Sequence, residues 1–177
     1  MPHIDLDASQ PGILGLLQFR PETGAALLNL ANVLLRGPNT LSPGERELIA
    51  AFVSKQNHCS FCELSHGATA AAQLPAGQQA VSAALADPAT APITDKMKAL
   101  LNIAAAVRDG GSSVTDGQVA AARDAGATDV EIHDAVLIAA AFCMYNRYVD
   151  GLGAQSPSDP AAYLGMGAHI AAHGYGR

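Results

Sequence analysis

Three observations predict an all-α fold. Thirty-six of the 177 residues are alanine and 49% are apolar, which favours alanine-tolerant helices and supplies a core for one ordinary domain. Tryptophan is absent and aromatics make up 5%, so strand-forming residues are scarce. The chain is also punctuated by helix-start signals of the Ser/Thr-x-x-Glu/Gln kind. With so few aromatics, buried area has to come from close helix packing and from other subunits, so the composition predicts a compact helical bundle that is oligomeric.

The elements follow in order. Residues 1–20 read as an N-terminal segment, 21–153 as the helical domain and 154–177 as a C-terminal arm. Pro21 to Leu35 is the first long helix, apolar over more than one face and stopped at Arg36-Gly37-Pro38-Asn39. Ser42-Pro43-Gly44-Glu45 is a capping box with proline at the first helical position, opening a helix to about Gln56. After the polar interruption Asn57-His58-Cys59-Ser60, another helix runs from about Phe61 to Gln73. Thr94 caps a helix reaching Val107-Arg108, Thr115-x-x-Gln118 opens a short one to Asp124, and Thr128-x-x-Glu131 opens the last, which extends to Asp150 before Gly151 and Gly153. The tail beyond carries Pro157, Pro160 and only a weak helical signal.

Charge and hydropathy exclude several function classes. A formal charge of −6 and a pI near 5.3 offer no basic footprint for nucleic acid or an anionic membrane. The longest apolar run, Ala135 to Tyr145, is shorter than the roughly 18 residues a membrane helix needs. The first residues are acidic where a signal peptide carries lysine or arginine, so a soluble chain in a reducing, cytoplasmic compartment is expected. There, three cysteines are too few for a disulfide scaffold, and the close pair Cys59 and Cys62 points to catalysis or metal.

The chemistry gathers between Glu47 and His66. Cys62 and His66 are four apart on one helix and share a face. Cys62 falls in the first turn, where free amides and the helix dipole favour a thiolate and a nearby imidazole can take its proton, so a lowered thiol pKa is expected. Cys59 is placed to attack an oxidised Cys62 sulfur and close a disulfide. Glu47 sits in an otherwise apolar stretch. Periodicity alone places it on a solvent stripe, whereas burial would make it a proton donor or acceptor near neutrality.

These residues carry a family likeness. Glu47 followed by Cys59-x-x-Cys62-x-x-x-His66 resembles the alkylhydroperoxidase D type members of the carboxymuconolactone decarboxylase superfamily. The chain is most similar to the peroxidase-related group, with its Leu41-x-x-x-Glu45-Arg46-Glu47-Leu48-Ile49 opening and Asn146-Arg147-x-x-Asp150 segment, over roughly Ile13 to Gly153. The resemblance implies an all-helical subunit, assembled as a homo-trimer or homo-hexamer, that reduces hydroperoxides by thiol chemistry without a cofactor. By position, Cys62 attacks the hydroperoxide, Cys59 resolves the sulfenic acid into a disulfide, and Glu47 and His66 relay the proton. It also implies an external dithiol, lipoyl-bearing or thioredoxin-like, as reductant. One departure is clear: Phe61 stands where the best-studied branch has a histidine.

Other readings of the same residues stay open. His58, Cys59, Cys62 and His66 are all competent zinc ligands, although no second ligand pair is evident elsewhere, since His133, His169 and His173 have no cysteine beside them. A small-ligand-binding oligomer with structural cysteines, or a non-redox decarboxylase or hydrolase using Glu47 and His66, is the alternative function. Cys143 reads as a small core hydrophobe, His58 as a polar loop residue, and Asn146, Arg147 and Asp150 as an internal ion-pair and hydrogen-bond network.

Overall fold

Helices make up the regular structure of residues 1–175, the part of the chain that the computed structural model describes. In order they are α1 (Ile13–Phe19), α2 (Pro21–Arg36), α3 (Pro43–Gln56), α4 (Ser60–Ala71), α5 (Gly77–Ala86), α6 (Asp95–Asp109), α7 (Asp116–Asp124), α8 (Asp129–Gly151) and α9 (Leu164–His173), with short 3-10 turns at Gly111–Ser113 and Pro160–Tyr163. The expected caps form. Ser42 Oγ accepts the Glu45 amide at 3.3 Å while the Glu45 carboxylate accepts the Ser42 amide at 2.8 Å, and the Thr115–Gln118 and Thr128–Glu131 boxes close in the same reciprocal way.

α3 is the centre of the arrangement, with α2, α4, α5, α6 and α8 packed around it. Every residue from Arg46 to Ser54 is buried, so this helix has no solvent face. Its alanines let the neighbours approach closely, and Leu48, Ile49 and Phe52 mesh with Leu100, Leu101 and Ile103 of α6 and Ile138 and Phe142 of α8 in the main core. The polar members of α3 are used in place. Arg46 Nη1 donates to the carbonyls of Leu34 and Gly37 at 3.0 and 2.9 Å, satisfying orphan acceptors where α2 ends.

Three helices lie outside those that capping and periodicity predict. α1 and α5 have no side-chain cap, and α1 starts at Gly12, whose φ of 57° is left-handed. The third is α9, in the tail. Gly167 lies so close to α4 that an added Cβ would stand 2.6 Å from the Ala68 carbonyl carbon, so a glycine and an alanine set the distance between the two helices. α9 therefore packs along α4, and Leu16 of α1 covers the start of α4, which carries the cysteines.

Candidate active site

α3 and α4 lie side by side, and this places Glu47 of one against His66 of the other. Glu47 is fully buried, which corrects the solvent stripe that periodicity assigned to it: a helix surrounded on all sides has no such stripe. Its carboxylate is not left bare. Glu47 Oε2 lies 2.7 Å from His66 Nδ1, and Oε1 accepts the Tyr175 hydroxyl at 2.7 Å. Tyr175 Oη is also 3.0 Å from His66 Nδ1. A carboxylate can only accept, so the pairing puts the proton on Nδ1 and leaves Nε2 as the acceptor nitrogen. Phe142 packs edge-on to the imidazole, with ring centroids 4.5 Å apart, and fixes its plane.

The cysteines occupy the start of α4, Cys59 at the cap and Cys62 in the first turn. Their thiols are hydrogen-bond neighbours, and both are buried in a small cluster with Leu16, Phe61, Val149 and Tyr163. The lowered thiol pKa expected of a helix start is not what the surroundings produce. The hydrogen bond with Cys59 and then burial push Cys62 well above the ordinary thiol value, and Asn146, which hydrogen-bonds the sulfur, pulls the other way without overcoming them. A partial helix charge is outweighed by the removal of water from the thiolate. Cys62 is therefore a thiol at rest and needs a base to become a nucleophile.

Asn146 is held by a relay of neighbours. The Ser54 hydroxyl donates to Ala50 O at 2.8 Å, which leaves its oxygen to accept Asn146 Nδ2 at 3.0 Å, and Asn57 Nδ2 donates to Asn146 Oδ1 at 2.9 Å. Asp150, one turn further along α8, has its carboxyl pushed up by burial and pulled part of the way back by the neighbouring Cys59 thiol. Arg147 does not join them: it is exposed and donates to the Cys143 carbonyl of its own helix at 2.8 Å, so the Arg147–Asp150 ion pair expected from the sequence does not form.

Cys62 and His66 line one small apolar cavity of about 50 Å³ between α1, α2, α4 and α8, with Tyr175 reaching into it from the tail. The other sequence candidates lie elsewhere. His58 is exposed, with a left-handed φ of 61°, and the four residues of the zinc spelling are not gathered: among the described residues no cluster of three or more histidine, cysteine or acidic side chains is arranged to hold a metal ion. His133 pairs with Asp134, His169 and His173 stack on the surface, and Cys143 is half-buried at the edge of the main core. Phe61, in the position of the family histidine, packs against Tyr163 with centroids 5.8 Å apart and adds no titratable group. Tyr175, Ser54 and Asn57 are the site residues that the sequence did not single out. For Tyr175 the only signal is an aromatic between two glycines.

The site thus joins two buried cysteines at a helix start to a carboxylate, an imidazole and a phenol on an all-helical frame. The chain belongs to the carboxymuconolactone decarboxylase family, whose model matches residues 21–91 and 75–155. No curated protein matches the sequence. Among solved structures, the chain is similar to an uncharacterized peroxidase-related protein with an alkylhydroperoxidase AhpD core from Ralstonia eutropha JMP134, at 25% identity and a TM-score of 0.78 over 89% of this chain and 81% of that one. It is also similar to an uncharacterized peroxidase-related protein from Silicibacter sp. TM1040, at 27% identity and a TM-score of 0.77 over 89% and 80%.

Proposed function

We propose that the protein is a thiol-dependent peroxidase that reduces hydroperoxides through Cys62 and Cys59. The observation that carries this reading is the shared cavity: Cys62 lines it with His66, whose Nδ1 is committed to Glu47, so an acceptor nitrogen belongs to the same space as a thiol that needs deprotonating.

The chemistry then runs as follows. His66 Nε2 takes the Cys62 proton, and the Glu47 carboxylate stabilises the imidazolium. The thiolate attacks one oxygen of the hydroperoxide, the O–O bond breaks, and the leaving hydroxide or alkoxide takes the proton from His66 to depart as water or an alcohol. Cys62 is left as a sulfenic acid. The Cys59 sulfur attacks it, the S–S bond forms, and hydroxide leaves as water with the Cys59 proton, for which Asp150 is the neighbouring acceptor. An external dithiol reduces the disulfide by exchange, so each turnover converts one hydroperoxide and one dithiol into one water, a second water or an alcohol, and a disulfide.

Intact-mass spectrometry tests the reading. Mild hydroperoxide treatment should remove two hydrogens from the reduced protein, dithiothreitol should restore them, and Cys62→Ser should neither lose that mass nor consume peroxide. A wild-type mass unchanged by peroxide would refute the redox reading and leave the cysteines structural.

A further inference from the structure

The cavity beside Cys62 is walled almost entirely by helices. Ile13 and Leu17 come from α1, Leu27 and Leu28 from α2, and Phe142 and Tyr145 from α8. These walls are tied: Tyr145 donates its hydroxyl to Leu27 O at 2.8 Å across the gap, and Phe142 is 1% exposed. Among the described residues, Tyr175 alone reaches the cavity from non-helical chain.

The tail that carries it is seated by specific contacts. Arg36 joins the turn after α4 to α9, giving Nη1 to Gln73 Oε1 at 3.0 Å and Nη2 to Ala171 O at 3.1 Å. α9 ends at Gly174, whose φ of 80° turns the chain back toward the site and whose missing Cβ would stand 3.1 Å from Asn32 Oδ1. The Tyr175 ring then lies nearly parallel to His66, with centroids 5.9 Å apart, and its hydroxyl ends on Glu47. The space left is about 50 Å³, which is one or two waters at about 30 Å³ each and far below the roughly 300 Å³ of an organic-ligand pocket. Two bonded oxygen atoms are of that size, and the Tyr175 ring forms one wall of the space.

We infer that Tyr175 is the specificity-determining residue of the site, its ring filling the place where the body of an organic hydroperoxide would lie and so restricting the substrate class to hydrogen peroxide. This rests on the peroxidase reading above, and it separates two parts of one side chain. The ring sets the size limit, and the hydroxyl orients Glu47.

The test compares wild type with Tyr175→Phe, Tyr175→Leu and Tyr175→Ala, using hydrogen peroxide and cumene hydroperoxide. The ratio of kcat/KM for the cumyl over the small substrate should rise about tenfold or more in the Ala variant, as expected for opening an apolar pocket, and should stay at the wild-type value in the Phe variant. The Leu variant keeps apolar packing against His66 and should show the same direction, so a loosened tail in the Ala variant does not blunt the result. Alkylation of Cys62 in the reduced proteins by iodoacetamide and by N-phenylmaleimide gives an independent readout, with the phenyl reagent gaining more from Tyr175→Ala than the small one. A ratio unchanged in both Leu and Ala variants, or raised as much by Phe as by Ala, would overturn the proposal. If no form consumes any hydroperoxide, the peroxidase reading fails on its own, and the alkylation pair still decides whether Tyr175 limits access to Cys62.

Discussion

Replacing Glu47 by glutamine probes the proton path with almost no change of shape. The carboxylate accepts from two donors, His66 Nδ1–H at 2.7 Å and the Tyr175 hydroxyl at 2.7 Å, and a carboxamide has only one oxygen to offer. If the amide nitrogen faces His66, the imidazole must accept at Nδ1 and carry its proton on Nε2, so the ring can no longer receive the Cys62 proton. If the amide oxygen faces His66, the tautomer survives, but the charge that stabilised the imidazolium is gone. Both arrangements raise the barrier to deprotonating a thiol whose pKa is already pushed up by its neighbour Cys59 and by burial. Loss of general-base assistance costs about 10²–10⁴ in rate, or about 3–5 kcal/mol of activation free energy. The direct assay is single-turnover: reduced enzyme is mixed with hydrogen peroxide and disulfide formation is followed in stopped flow, with thermal unfolding run alongside to show that the fold is intact. Disulfide formation in Glu47→Gln at the wild-type rate would refute the relay and make Glu47 a buried structural carboxylate.

Two further predictions concern stability. Glu131 is buried and accepts from Lys96 at 2.7 Å, Thr40 at 2.8 Å and the Thr128 amide at 2.7 Å; these bonds outweigh burial and hold its carboxyl down at about 2, against an ordinary value of 4.5. Because the folded value is the lower one, the stabilisation is full above pH 4.5 and disappears as pH falls through about 2; it amounts to about 3 kcal/mol by linkage, or about 2 kcal/mol once screening at the 27% exposed Lys96 is allowed for. Urea unfolding of wild type and Glu131→Gln should therefore show a gap that narrows from pH 7 to pH 2.5, and a constant gap would contradict the assignment. Gly167→Val should lift α9 from α4, lowering stability by about 1–3 kcal/mol as overpacking does and speeding Cys62 alkylation as Tyr175 withdraws with the tail; an unchanged melting temperature would show that the contact is not tight.

Much of the frame is legible in the sequence because its signals are local. Ser42 with Glu45, Thr115 with Gln118 and Thr128 with Glu131 each set a helix start from within four residues, and the structure begins α3, α7 and α8 there. α1 and α5 carry no such cap and are held by tertiary packing, which leaves little trace in local spacing. The motif from Glu47 to His66 gives the positions of the site but not their environment. Whether Glu47 faces water depends on the five helices around α3, and the state of the Cys62 thiol depends, besides its neighbour Cys59, on burial under Leu16, Val149 and Tyr163, which come from segments remote in sequence. Tyr175 lies 109 residues from His66, and its place against Glu47 is fixed by the seating of α9 and the turn at Gly174.

The cluster around Cys59 has a kinetic corollary. An incoming thiol must line up with the S–S bond from behind one sulfur, and Cys59 is 0% exposed beneath Leu16, Val149 and Tyr163. In the proposed cycle a disulfide is thus shielded from bulk thiols at its Cys59 sulfur by packing, whatever its redox potential. Reduction at Cys59 in that cycle then waits on a local opening of this packing, and raising the concentration of reductant gains nothing once that opening is slower than exchange.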